Sequence, residues 1–331
     1  MTEVTAAIVA YNGERYYVEA IESLLNQTHP VIEVLLVVDG ASTDRTLEIA
    51  QGYAKLDSRV RVIEMEHCNI SAKMARAVNE AKGEWIAFLD SDDIALPHRI
   101  ERCLAEARRR PEVVAWFGWM WNIRADGRRL RIVRHGPTDE RQFAALRGEH
   151  DIPIFSHGTG LFRREALLAA GNYDAKVSIA GDYDMVDRLC DVGMMLTIPE
   201  PLMEYRVHGA NSSFQNFALQ STQFEYLWQR RAAKDRGEAF PSFEEFSAQP
   251  SSEPRLRRTL RGTRDRSRFN SSAASMHVAD GRWVQAVLAA SRSILWNPRS
   301  VVRRLWRNHL GPKLLQRRWF ARVWTRRQSP T

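Results

Sequence analysis

The stretch AFLDSDDIALPHR, residues 87–99, sets three carboxylates, Asp90, Asp92 and Asp93, within four residues of one another directly after an apolar run. Like charges at that spacing repel and raise one another's pKa unless a cation or hydrogen-bond donors offset them. Two chemistries suit the pattern. One is an acidic turn capping the helix that Pro97 opens. The other is a hard oxygen-ligand site for a divalent ion such as Mn²⁺ or Mg²⁺.

The elements that must carry these residues decide between the two. Apolar runs at 4–10, 32–38, 60–65, 85–89 and 113–119 read as strands, and helical patterns separate them at 14–27, 43–54, 71–82 and 97–109. This alternation predicts an α/β fold, a mostly parallel central sheet with flanking helices on both faces. Ligands of such sheets bind beyond the carboxyl ends of the strands. The first strand ends in Tyr11-Asn12, the second in Asp39 and the fourth in Asp90, so parallel strands would gather all of them on one rim. Helices begin beside them, with Asn12 as a cap for the first and Ser42, Thr43 or Asp44 for the second, and free helix N–H groups suit phosphate. The combination predicts a nucleotide site that also holds a divalent cation. No G-x-G-x-x-G follows the first strand and no G-x-x-x-x-G-K-[ST] occurs, so dinucleotide and P-loop readings lose their support.

The second half is mixed. A hairpin is expected around Ala125-Asp126-Gly127, a helix over 139–147, the loop HGTG at 157–160, a helix over 181–193, a short strand near 195–198 and a long helix over 217–236. The Ser- and Pro-rich segment 240–254 reads as a linker, which divides the chain into a catalytic domain, 1–239, and a helical extension, 255–331. Residues 254–331 hold 19 Lys and Arg against two acids, while the rest holds 29 bases against 38 acids. An acidic body with a basic tail points to two jobs. Three scattered cysteines without a CxxC pair argue against disulfides or zinc and for a reducing compartment. Glu3 stands where a signal peptide would be basic, and no apolar segment approaches the roughly 18 residues of a membrane span. A cytoplasmic protein, peripheral on the inner face of the plasma membrane, is expected.

The blocks YNGERYYVEAIESLLNQT, VVDGASTDRT, AKGEWIAFLDSDD, GDYDMVDRL and YRVHGANSS resemble, in order and spacing, the family 2 inverting glycosyltransferases with the GT-A (Rossmann-like) fold. The resemblance spans about residues 3–213. It implies transfer of a sugar from a nucleotide-diphospho-sugar donor to a saccharide or lipid-linked acceptor hydroxyl, with inversion and with Mn²⁺ or Mg²⁺. By the same resemblance Tyr11 and Asn12 border the nucleobase, Asp39 hydrogen-bonds it, and Asp90 faces the ribose or a metal-bound water. Asp92 is implied as a metal ligand, His208 as a second, and Asp182 as the general base. The sequence departs from the family where Gly40 replaces a second acid, where Gly181 replaces a Glu before Asp182, and where Val9-Ala10 replace a Pro before Tyr11.

Inversion needs in-line attack by a hydroxyl that loses its proton to a carboxylate, and a diphosphate leaving group whose growing charge is stabilised. At a helix start the dipole keeps Asp182 ionised and lowers its basicity; an ordinary N-terminal helix acid is the alternative for it and for Asp184. Lys73 and Arg76 could contact the diphosphate or simply form a solvated helix face. Trp116, Trp119 and Trp121 are either an acceptor platform or a core stripe. His157 is a candidate acceptor contact. The last helical pattern, 312–327, rings Leu315, Trp319 and Val323 with basic residues, which suits an anionic membrane surface. Packing on the catalytic domain or on a second copy, as in a homo-oligomer, is the alternative, and nucleic acid is not expected. The rival functions are a non-catalytic carbohydrate- or membrane-surface-binding protein on the same scaffold and a nucleotidyltransferase. The latter would want a Gly-rich, Lys/Arg-bearing loop where AYNGER stands.

Overall fold

The structure, a computed structural model, describes residues 3–148, 151–208, 211, 215–248 and 283–296. Contacts divide the chain into two units, Met1–Pro250 and Ser251–Thr331. In the first unit the strands are β1 (Val4–Ala10), β2 (Glu33–Asp39), β3 (Val60–Met65), β4 (Trp85–Asp90), β5 (Ile94–Ala95), β6 (Val113–Ile123), β7 (Arg129–Val133), β8 (Leu161–Arg163) and β9 (Met194–Arg206). Its helices are α1 (Glu14–Leu25), α2 (Thr46–Leu56), α3 (Ile70–Glu80), α4 (Arg99–Arg109), α5 (Glu140–Gly148), α6 (Arg164–Ala169), α7 (Gly181–Leu189), α8 (Phe217–Asp235) and α9 (Phe243–Ala248). The second unit contributes one described helix, α10 (Trp283–Trp296). No helix among the described residues is long and apolar enough to cross a membrane. The expected tail helix over 312–327, and with it the membrane stripe, lies outside the described residues.

The nine strands form one mixed sheet in the order β3-β2-β1-β4-β8-β6-β9-β5, with β7 on β6. The expected parallel arrangement holds for β3-β2-β1-β4 and for β6-β9, whereas β5, β7 and β8 pair antiparallel. Alternate residues of β1 feed two cores, as a two-residue period requires. Val4, Ala6, Ile8 and Ala10 pack with Tyr17, Ile21 and Leu24 of α1 and Ile100 and Leu104 of α4. Ala7 and Val9 pack with Met74 and Val78 of α3 and with Met185 and Val186 of α7. The expected hairpin forms, turning at Gly127 with φ 83°, a left-handed conformation natural to glycine.

The segment 240–254, read as a linker, contains a helix in its described part. Phe243–Ala248 is a helix, and the rings of Phe240, Phe243 and Phe246 lie 5.3–5.7 Å from that of Tyr226 on α8. Three aromatics hidden among Ser and Pro bury enough apolar surface to fold this segment onto the first unit.

Candidate active site

The strand order reverses at β1, with β2 on one side and β4 on the other, and a crevice is expected at the carboxyl ends of these strands. Ala10 pairs with Val38 and Val9 with Asp90, so Asp39 and Asp90 flank the end of β1 on one rim, as their sequence positions predict.

On the β2 side, Asp39 is fully buried. Its carboxylate sits 2.6 Å from Lys73 Nζ and 3.1 Å from His67 Nδ1, and it accepts hydrogen bonds from the Ala41 and Cys68 amides. Burial opposes its charge, but the Lys73, Ala41 and His67 hydrogen bonds outweigh burial and hold Asp39 below the ordinary carboxylate range. Lys73 is therefore no solvated face residue. It is 4% exposed, and its ammonium also donates to the Cys68 carbonyl at 2.6 Å. Tyr11 stands open beside the pair, 48% exposed, with its ring 5.3 Å from that of His67.

Asn12 does not cap α1, because Gly13 occupies that position. It has φ 51°, and its side-chain Oδ1 accepts from the Thr43 amide at 2.8 Å, tying the loop after β1 to the loop after β2. Asp44 completes the tie, accepting from Thr46 N with one oxygen and from Glu14 N with the other.

On the β4 side the acids crowd together. Burial, then the charges of Asp92 and Asp182, push Asp90 up to about 7 against the pull of Arg99. Asp182, carried to the site by the first turn of α7, is raised by its surroundings although its own amide and that of Tyr183 favour the charged form. Its side chain keeps solvent access, and desolvation by the protein around it raises the carboxyl where the helix dipole was expected to lower its basicity.

Asp92 Oδ2 meets His208 Nε2 at 2.8 Å and accepts from Asn211 Nδ2 at 3.2 Å, so the two implied metal ligands do lie together. Among the described residues no three His, Cys, Asp or Glu side chains stand as a ready metal cluster. Arg206 locks this corner. It is 1% exposed and donates to the Asp92 carbonyl, the Ala125 carbonyl and Glu19, while its backbone amide donates to Asp93. Beneath the acids lies a second buried cation, Arg99, which donates to the carbonyls of Phe88, Thr159 and Gly160. Its Nη1 and Asp93 Oδ2 are buried atoms with no hydrogen-bond partner among the described residues.

His157, the candidate acceptor contact, is half-buried among aromatic rings. Its Nε2 is 2.7 Å from the Tyr173 hydroxyl and its ring lies against Phe88 and Phe162. Burial and Arg99 press its pKa down to about 3, so it is a neutral member of an aromatic bed. Asp184 is structural, clasped by Arg188 and Arg230 at 2.6 Å each. Trp116 is core, whereas Trp119 and Trp121 stack under Arg134 and Arg129.

Both glycine departures have packing reasons. A Cβ on Gly181 would stand 2.0 Å from Ser71 Oγ, which is bonded to the Val177 carbonyl. A Cβ on Gly40 would meet Glu64 Oε1 at 2.9 Å and the Met65 carbonyl at 3.2 Å. Sequence reading missed Arg206, Arg99, Asn211 and His67. Arg206 and Asn211 lie within the YRVHGANSS block, and that was the only signal.

A family model for glycosyl transferase family 2 matches residues 5–169. The chain is 31% identical over 217 residues to the chondroitin synthase of Escherichia coli, which covers 66% of this chain and 31% of that protein. To the hyaluronan synthase of Pasteurella multocida it is 27% identical over 243 residues, 73% of this chain and 24% of that protein. The chain thus spans less than a third of the length of either relative. Among solved structures, S. aureus TarS 1–349 in complex with UDP-GlcNAc superposes with a TM-score of 0.56 at 15% identity, covering 88% of this chain and 91% of that one. This last likeness is one of fold.

Proposed function

The chain belongs to glycosyl transferase family 2, and on that premise we propose that it moves a sugar from a UDP-linked donor to a hydroxyl of a growing polysaccharide, with inversion. The UDP and polysaccharide parts follow the TarS complex and the two synthases. One observation carries the reading: Asp182, far along the chain from Asp90 and Asp92, shares one electrostatic environment with them at the rim that Asp39 borders.

In this reading the base lies against Tyr11 and hydrogen-bonds Asp39, whose charge and orientation Lys73 and His67 fix before the donor arrives. Preorganisation of this kind lowers the cost of binding. Asp90 faces the ribose. Asp182 takes the proton of the attacking hydroxyl. Its raised pKa suits that role, because a base works best with a pKa near the operating pH. Asp92 and His208 would hold Mn²⁺ or Mg²⁺. The fit rests on the uncompensated repulsion at Asp90 and on an oxygen-rich donor set with one imidazole, short of a closed cage and so completed by phosphate oxygens. When bound, such an ion supplies charge stabilisation to the departing diphosphate. Neither Gly40 nor Gly181 favours the non-catalytic rival, since packing explains both.

The test is donor turnover with a polysaccharide acceptor in two variants. Asp182→Asn should lose about 10²- to 10⁴-fold in kcat with UDP binding retained. Asp92→Ala should lose both turnover and the stabilisation by UDP with Mn²⁺. Wild-type rates in both variants would refute the assignment.

A further inference from the structure

A cavity of about 580 Å³ in the first unit is lined by none of the acids of the rim. Arg134, His135, Asp151, Ile152, Tyr183 and Trp228 are among the residues that line it. Trp228 is 46% exposed, which is costly for so large an apolar surface unless something covers it. It shares the cavity wall with Tyr183, whose hydroxyl donates to the Ile152 carbonyl at 2.9 Å. What Trp228 offers there is a broad ring surface. Arg134 is held in place, its guanidinium lying 5.0 Å from the centre of the Trp119 ring. His135 is kept neutral by burial and by Arg131, and so presents one donor and one acceptor nitrogen.

We propose that this cavity is a saccharide subsite, holding a pyranose unit of the acceptor chain away from the reacting hydroxyl; the inference rests on the transferase reading above. A pyranose has an apolar C–H face and a rim of hydroxyls. A rigid indole with Arg134, His135 and Asp151 around it is complementary to both. The place in the fold supports the assignment. Tyr183 directly follows Asp182, and consecutive helical residues point about 100° apart. One side of the first turn of α7 therefore faces the acidic rim, and the adjacent side faces the cavity. A chain of several sugars could reach from one to the other, and a single sugar could not.

The prediction is that acceptor length matters, and that Trp228 is why. KM and affinity would be measured on the full chain for short and long oligomers of hyaluronan, chondroitin and poly-N-acetylglucosamine, with UDP thermal stabilisation as the fold control. Wild type should prefer a long oligomer of at least one type by about tenfold or more. Trp228→Ala should erase that preference by raising KM for the long oligomer, with kcat little changed and the UDP shift retained. Arg134→Ala should do so in part, and it serves if Trp228→Ala does not fold. No length preference in wild type, or a preference untouched by either variant, overturns the subsite. The transferase reading survives that outcome as long as UDP-sugar turnover depends on Asp182.

Discussion

Lys73→Met is the sharpest probe of the nucleotide side. The ammonium and the Asp39 carboxylate are 2.6 Å apart, with side chains 5% and 0% exposed. Unit charges at that separation attract by about 6 kcal/mol at an effective dielectric of 20. Not all of this is lost, because the Ala41 and Cys68 amides and His67 still serve Asp39. A loss near the low end for broken buried pairs, about 3 kcal/mol, is expected, with about 1 more for the bond to the Cys68 carbonyl. In Asp39→Asn/Lys73→Met no charge is stranded, so only about 1–2 kcal/mol should remain lost. Thermal unfolding of wild type, both single variants and the double variant gives the coupling energy directly. The pH dependence adds a check with a fixed sign. Asp39 is held below its unfolded value, so its contribution is full at neutral pH and disappears as pH falls below about 4 through the folded pKa. Lys73→Met should move that loss to higher pH and weaken stabilisation by UDP. A single variant within about 1 kcal/mol of wild type, or a double variant no better than the single, would refute the view that Lys73 sets the state of Asp39.

Two further outcomes follow from the acidic side and the helix contact beside it. Asp90 has a raised folded pKa of about 7, so its favourable contribution is complete below its unfolded value near 4 and is lost as pH rises through 7. Without a divalent ion the melting temperature should therefore fall between pH 5 and 8, and Mn²⁺ with UDP should flatten that slope; an unchanged slope would count against a cation among these acids. Gly181→Ala drives a methyl into Ser71 Oγ and should cost about 1–3 kcal/mol, most of it recovered by Ser71→Gly in the same chain. Equal melting temperatures for Gly181→Ala and wild type would show that this contact yields freely.

How far the sequence could be read depended on how local each cause was. All five strands read from apolar runs are present, because strands covered on both faces leave near-continuous apolar text. Leu161–Arg163 escaped notice because three residues are too few to reveal a period. The strand expected to stop at residue 198 instead runs to Arg206, through Pro199 and Pro201, where prolines ordinarily end pairing. The ladder takes them in by shifting register against β6 around Trp119. Asp39, Asp90, Asp92, Asp182 and His208 could be singled out because each sits in a block with an order and spacing of its own. Their partners were harder. Lys73 lies on the same helix face as Ile70, Met74 and Ala77, which hinted at burial, yet the reason for burying a lysine was a carboxylate on another strand. The aromatic bed of His157 likewise draws on Phe88, Phe162 and Tyr173, far apart in the chain.

These partners divide the rim into two electrostatic halves. On the β2 side the carboxylate has its own buried lysine, and Asp39 is held in its charged form before any ligand comes. On the β4 side Arg206 meets Asp92 and Asp93 mainly through backbone bonds, and Arg99 spends its donors on carbonyls. Neither arginine cancels the repulsion that Asp92 and Asp182 exert on Asp90, which adds to desolvation in raising Asp90, while desolvation alone raises Asp182. A protein that only needed stability would place a lysine there too, since stranded buried charge is expensive. Leaving the negative charge uncompensated makes sense where a cation and a diphosphate arrive together. Desolvation on the same side raises Asp182 and so favours its accepting a proton, which puts donor capture and attack side by side.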